Sequence, residues 1–83
     1  MKILDLDNQH TWHPYNSLPS KSVILPVKST DKQIITLEDG RELVDAMSSW
    51  WSAIHGYNHP ALIKALETQV NIMPHIMFGG LTH

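Results

Sequence analysis

Cysteine is absent from these 83 residues, which excludes both a disulfide framework and a thiolate metal site. Charge is sparse as well: Lys, Arg, Asp and Glu make up 17% of the chain, and the net charge is −2. That balance supplies no basic stripe for nucleic acid and no polybasic anchor for a membrane. No apolar run approaches the ~20 residues of a membrane span. Asp5 and Asp7 interrupt the N-terminal stretch where a secretory signal needs an apolar core. The expected setting is cytoplasmic, with neither nucleic acid nor membrane as partner. Internal repeats and low-complexity tracts are missing too.

What is present is an apolar content of 42%, which argues against disorder. A chain this short buries only about 60–65% of the surface its unfolded form exposes, so its margin of stability is thin. Residues 73–83 run apolar and glycine-rich to the last position, whereas domains usually close on exposed polar residues. The expectation is a chain cut within a larger fold.

Along the chain, residues 1–30 read as irregular, because His13-Pro14-Tyr15-Asn16-Ser17-Leu18-Pro19-Ser20 carries two prolines among small polar residues. Residues 22–27 read as a short strand that Pro26 confines to an edge or an end. Residues 33–45 read as a hairpin: two β-branched or apolar runs flank Asp39-Gly40, a two-residue type I′ signal in which Gly40 supplies positive φ. Residues 46–58 form a loop around the paired tryptophans. Residues 59–73 read as a helix, capped by Asn58 or His59 and opened by Pro60. Leu62, Leu66, Val70 (or Gln69) and Met73 make its apolar stripe, and Pro74 ends it. The fold class expected is an α+β fragment of one hairpin and one amphipathic helix.

The densest signal lies in Met47-Ser48-Ser49-Trp50-Trp51 followed by Ile54-His55-Gly56-Tyr57-Asn58-His59-Pro60. Adjacent side chains diverge on any regular backbone, so Trp50 and Trp51 do not both enter one core. One ring is expected inside while the other lines a surface or cleft; the plainer alternative is that both fill core. If Tyr15 and Trp50 converge, they make a flat wall with a hydroxyl handle. Such a wall suits a ligand with an alkyl chain and a polar end.

Other constellations are weaker. His55 and His59 stand four apart among six histidines, but Gly56 and Pro60 make that stretch a turn, and no glutamate or cysteine completes a zinc set. Capping for His59 and packing for His55 are the plain readings. Ser48, Ser49 and Ser52 lack a nucleophile-elbow pattern. Glu38 and Asp39 belong to a turn, Glu42 and Asp45 to a strand, so no carboxylate pair is set for acid–base work. Gly79-Gly80 marks a bend or a close backbone approach.

The ordered set of Asp39-Gly40, Leu43-Val44-Asp45, Gly56-Tyr57-Asn58-His59-Pro60 and a helix carrying Gln69 resembles the N-terminal segment of class III, fold-type I pyridoxal-phosphate aminotransferases. Trp12-His13-Pro14-Tyr15, the Met47-to-Trp51 block and His75-Ile76-Met77-Phe78-Gly79-Gly80-Leu81-Thr82-His83 are similar to the branch of that family acting in biotin biosynthesis. The resemblance implies an α/β fold when complete, pyridoxal 5'-phosphate as cofactor, and a homodimer. The implied reaction moves an amino group from S-adenosylmethionine to 8-amino-7-oxononanoate. By the same resemblance, Tyr15 and Trp50 are the substrate-binding residues, Trp51 supports Trp50 by packing, and residues 79–83 lie near the dimer interface.

The family's Schiff-base lysine, pyridine-nitrogen acid, phosphate cradle and carboxylate-binding arginine match no position in this chain. Lys2, Lys21, Lys28, Lys32 and Lys64 stand in the wrong contexts. Catalytic, cofactor-binding and metal residues are therefore expected to be none, and the chain alone is expected to be inactive. An autonomous interaction module without catalysis, or another class III aminotransferase, is the rival reading.

Overall fold

A computed structural model describes residues 2–83. Its elements run α1 (Ile3–His10), β1 (Val27–Asp31), β2 (Ile34–Leu37), β3 (Glu42–Val44) and α2 (Pro60–Ile72). The three strands form one antiparallel meander in the order β1-β2-β3. The α+β class holds, with one helix more than the sequence pattern predicts and the first strand displaced to Val27–Asp31.

The extra helix corrects the irregular reading of the first thirty residues. Asp5 stands in the first turn of α1, where its negative charge complements the helix dipole, and His10 stands in the last. Eight residues are too few for pattern or propensity to mark a helix, and too few to hold one in isolation. Tertiary tethering supplies the rest: Asp7 on α1 accepts at both carboxyl oxygens from the His13 ring, at 2.8 and 2.9 Å.

The strand expected over residues 22–27 is also corrected, since only Val27 enters the ladder. Pro26 has no N–H to donate, and its carbonyl instead accepts from Glu38 N–H at 3.0 Å. The strand proper continues through Lys28, Ser29, Thr30 and Asp31, whose polar side chains hide it from a hydrophobic pattern. Lys32 turns the chain at a positive φ of 52° and brings Asp31 opposite Ile34.

The second turn differs from the type I′ expectation. Thr36 pairs with Glu42 and Ile35 with Leu43, while Leu37 N–H reaches Arg41 C=O at 2.9 Å and Gly40 N–H reaches Leu37 C=O at 3.0 Å. Three residues, Glu38, Asp39 and Gly40, thus form the loop. A type I turn followed by one left-handed residue matches strand twist as well as a primed turn does. Only Gly40 needs positive φ (90°). Asp39 keeps an ordinary backbone and accepts from Arg41 at both its backbone N–H (3.0 Å) and Nε (2.8 Å).

For α2, His59 is the N-cap: its Nδ1 accepts from Ala61 N–H at 3.2 Å, and Pro60 occupies the first turn. The apolar stripe is there but packs on nothing: Leu62, Leu66 and Val70 are all more than half exposed. Among the described residues Leu37 alone is buried. The radius of gyration is 16.7 Å, against about 12 Å for a compact chain of this length. The accessible surface of 7360 Å² exceeds the roughly 5,000 Å² of an equivalent globule. Most apolar surface among the described residues is therefore exposed, and the sheet is held chiefly by its own ladder.

The Lys32–Tyr57 bridge and the Thr30 Oγ1 bond to Asn58 Oδ1 (3.0 Å) join the sheet to the later loop. Lys32 and Tyr57 exchange backbone hydrogen bonds at 3.0 and 2.8 Å, directly beside Gly56, where a Cβ would meet the Lys32 backbone at 3.3 Å. Gly40 faces open space. Both glycines have positive φ, so valine at either should cost on the order of 1 kcal/mol or more in backbone strain. Gly56→Val should be the worse because it also crowds Lys32. Amide hydrogen exchange at Lys32 and Tyr57 checks this: Gly56→Val should accelerate it at least fivefold, and Gly40→Val should leave it nearly unchanged.

Candidate functional site

The loop between β3 and α2 has an unusual backbone. Ser48, Ser49, Trp50 and Trp51 all adopt positive φ, at 49°, 47°, 55° and 68°. They make one turn of left-handed helix, with Trp51 N–H bonding Met47 C=O at 3.1 Å and Ala53 N–H bonding Ser48 C=O at 2.9 Å. For L-residues with a Cβ, this conformation costs roughly 1–2 kcal/mol per residue. A run of four needs external support, and such strain concentrates at functional sites.

The support comes from Asp45. Its Oδ1 accepts from Met47 N–H at 3.0 Å and its Oδ2 from Ser49 N–H at 2.9 Å. The Tyr57 hydroxyl donates to the same Oδ2 and also meets Ser49 Oγ. The strand role read for Asp45 is thereby corrected: β3 ends at Val44, and Asp45 turns its carboxylate onto the loop it precedes. The Tyr57 hydroxyl bond, then the Ser49 N–H, hold this carboxyl below its ordinary value of 3.8. Reciprocally, the Asp45 bond lifts the Tyr57 phenol above its ordinary 10.0.

The left-handed turn carries the Trp50 ring onto Tyr15, with centroids 5.4 Å apart and planes 27° apart. Tyr15 too sits at positive φ (56°), in an arm folded by Trp12 Nε1 donating to Asn16 C=O at 2.9 Å. The two aromatic residues singled out in the sequence therefore converge, from positions far apart in the chain. Beside them opens a cleft of about 600 Å³ lined by His13, Pro14, Tyr15, Asn16, Ser22, Ile24, Ser49 and Trp50. Its size falls within the range of small-molecule sites, as does its mixture of aromatic walls and a few polar groups.

The expectation of one buried tryptophan is corrected: Trp50 is 58% and Trp51 77% exposed, and Tyr15 is 90% exposed. Both indoles belong to the left-handed turn and stay open to solvent, so neither enters a core. Trp51 lies against Trp50 at 6.4 Å, tilted by 59°. His55 and His59 meet edge to face at 6.3 Å, a ring contact rather than a shared ligand point. Gly80 makes a tight bend, its N–H reaching Phe78 C=O at 2.9 Å. Asp45 and its partner Tyr57 are what the sequence reading missed as a pair. An aspartate two and four residues before Met47 and Ser49 is the pattern of side-chain-to-backbone bonding that could have found it.

Residues 15–83 match the Aminotransferase class-III family. The chain belongs to the class III aminotransferases. Its relatives include the adenosylmethionine-8-amino-7-oxononanoate aminotransferases of Buchnera aphidicola subsp. Baizongia pistaciae (54% identical over 96% of this chain and 19% of that protein) and Corynebacterium glutamicum (51%, over 98% and 19%). The Saccharomyces cerevisiae protein of the same name is 45% identical over 99% of this chain and 18% of its own length. Among solved structures, the omega transaminase from Pseudomonas jessenii in complex with PMP aligns over all of this chain and 19% of its own, with a TM-score of 0.82 and 27% identity. A transaminase from the marine bacterium Virgibacillus aligns over 95% and 19%, with a TM-score of 0.77 and 26% identity. The chain thus spans about a fifth of the length of the relatives it matches.

Membership in this family implies pyridoxal-phosphate dependence. The described residues do not fit that group: all five lysines are exposed, and none lines the Tyr15–Trp50 cleft. A lysine serving this cofactor needs a desolvated setting that keeps its amine reactive. Among the described residues, no helix is long and apolar enough to cross a membrane.

The Asp45–Tyr57 bond has a spectroscopic consequence. A phenol whose pKa is raised keeps its proton, and its bond to Asp45, until the pH passes the elevated value. The depressed carboxylate loses its contribution only as pH falls through a value below 3.8. The clasp is therefore complete across the neutral range. The difference in tyrosinate absorbance between this chain and Tyr57→Phe isolates Tyr57, and should give a midpoint above 10.0. Asp45→Asn should bring that midpoint down; an unmoved midpoint would remove the bond.

Proposed function

We propose that this chain is the N-terminal, substrate-side part of an adenosylmethionine–8-amino-7-oxononanoate aminotransferase. The reaction transfers an amino group from S-adenosylmethionine to 8-amino-7-oxononanoate, giving 7,8-diaminononanoate in cytoplasmic biotin biosynthesis. The observation that carries this reading is the Tyr15–Trp50 stack beside a cleft of about 600 Å³, in a chain 54% identical to a relative of that name. Pyridoxal 5'-phosphate, the electron sink of the chemistry, is held by residues beyond this chain, and the complete enzyme is a homodimer.

In this proposal the chain binds and orients. The acceptor is a methylene chain with polar ends; its hydrocarbon lies along the two rings while the Tyr15 hydroxyl engages a polar end. Covering roughly 100 Å² of ring surface stabilises the complex by about 2 kcal/mol, or about thirtyfold in affinity. Trp51 buttresses Trp50. The same aromatic surface, when covered, excludes water from one side of the reacting ketone. A self-contained interaction module is disfavoured by burial, since such a module needs a core and Leu37 alone is buried among the described residues.

In the enzyme that carries this chain, Trp50→Ala should raise KM for 8-amino-7-oxononanoate about thirtyfold while cofactor content stays near one per subunit. Loss of cofactor together with acceptor affinity would make Trp50 a packing residue. Tyr15→Phe should lower kcat/KM for the acceptor several-fold; an unchanged value would take the hydroxyl out of recognition. The 83-residue chain alone, treated with pyridoxal phosphate and borohydride, should show no stoichiometric adduct at any one lysine.

A further inference from the structure

The aromatic wall depends on a backbone that L-residues avoid, and one carboxylate bonds that backbone at two points. Among the described residues the loop's contacts to the rest of the chain are few. The Lys32–Tyr57 ladder pair fixes Tyr57 against the sheet, and Asp45 N–H is itself fixed by Gln33 C=O at 2.8 Å. Asp45 and Tyr57 are thus both seated on the meander, at adjacent points of the β1–β2 turn. Between them they grip Ser49, through its N–H and its hydroxyl. Trp50 is the next residue; it is more than half exposed, and its ring touches those of Tyr15 and Trp51.

We propose that Asp45 is the positioning residue of the Tyr15–Trp50 wall, holding the Ser48-to-Trp51 turn in its left-handed form so that the Trp50 ring faces Tyr15 across the acceptor cleft. Its action passes through the backbone of Met47 and Ser49 and through Tyr57, and it touches no substrate. The inference deepens the function proposed above and rests on it for the identity of the acceptor. Its physical content is separate: without the carboxylate, residues 48–51 relax toward negative φ, and the indole swings away from Tyr15.

The test uses the complete holoenzyme that carries this chain. Asp45→Asn keeps the size of the side chain and removes the charge-assisted acceptors. It should raise KM for the amino-oxononanoate about tenfold, leave cofactor content unchanged, and leave the half-reaction with the amino donor within about twofold. The near-ultraviolet circular dichroism of the stacked Tyr15–Trp50 pair should fall, as it does in Trp50→Ala. Adding Asp45→Asn to Trp50→Ala should cost no further acceptor affinity, because the wall it positions is already gone.

Glycine provides the decisive arm, since it takes positive φ without a Cβ penalty. Ser48→Gly placed in the Asp45→Asn background should restore most of the lost acceptor affinity, which a residue needed only for general folding would not permit. Should Asp45→Asn itself lose cofactor or fail to fold, Tyr57→Phe, which removes the hydroxyl that bonds both the carboxylate and Ser49 Oγ, should give the same acceptor-specific defect in smaller measure. Unchanged acceptor KM in Asp45→Asn, additive losses in the double variant, or no rescue by Ser48→Gly would each overturn the positioning role. If Trp50→Ala leaves acceptor KM unchanged, the functional reading itself falls. In that case the dichroism and glycine arms, read by the Tyr15–Trp50 signal alone, still decide whether Asp45 holds the turn.

Discussion

Four consecutive residues in the left-handed region, held by the carboxylate of Asp45, are the constraint on which the local architecture turns. Each carries a Cβ that the conformation opposes. The opposition is met by charge-assisted bonds to two backbone amides and a phenol, roughly twice as strong as neutral ones. Because Asp45 follows β3 directly and Tyr57 is laddered to Lys32, the strain is referred to the sheet. The turn then determines where two indoles point.

That geometry places an aromatic wall on a chain with almost no core. Leu37 is buried, while α2 presents its apolar stripe without a partner. The excess surface relative to a globule is on the order of 2,000 Å², comparable to what an obligate interface buries. The family assignment accounts for this economy. The chain covers about a fifth of its relatives' length, too little to enclose a core of its own. Its internal hydrogen bonds are spent on shaping one loop and one arm.

Much of the site was legible beforehand, for reasons that differ by residue. Tyr15 and Trp50 stood out because large aromatic residues flanked by Pro, Ser, Gly and Asn seldom belong to regular elements. The helix from Pro60 was legible because Pro, an N-capping His59 and a 3.6-residue stripe agree with one another. Strand β1 was hidden because four of its five side chains are polar. Helix α1 was hidden because two turns carry no periodicity worth counting. The Asp39-Gly40 signal named a hairpin correctly and its turn type wrongly, since one or two left-handed residues satisfy the same dipeptide and the ladder register chooses between them.

Local chemistry, written in the order of residues, determined the breaks, the caps, the turn glycines and the family to which the chain belongs. Those depend on neighbours within a few positions or on motifs in sequence order. Tertiary structure alone decided that Tyr15 and Trp50 meet, that both tryptophans stay exposed, and that Asp45 faces the loop rather than the sheet. Each of these joins positions through space, and the first depends on the handedness of the four-residue turn 48–51. Side-chain identity does not announce that handedness, because only the balance between Cβ strain and the bonds from Asp45 and Tyr57 selects it.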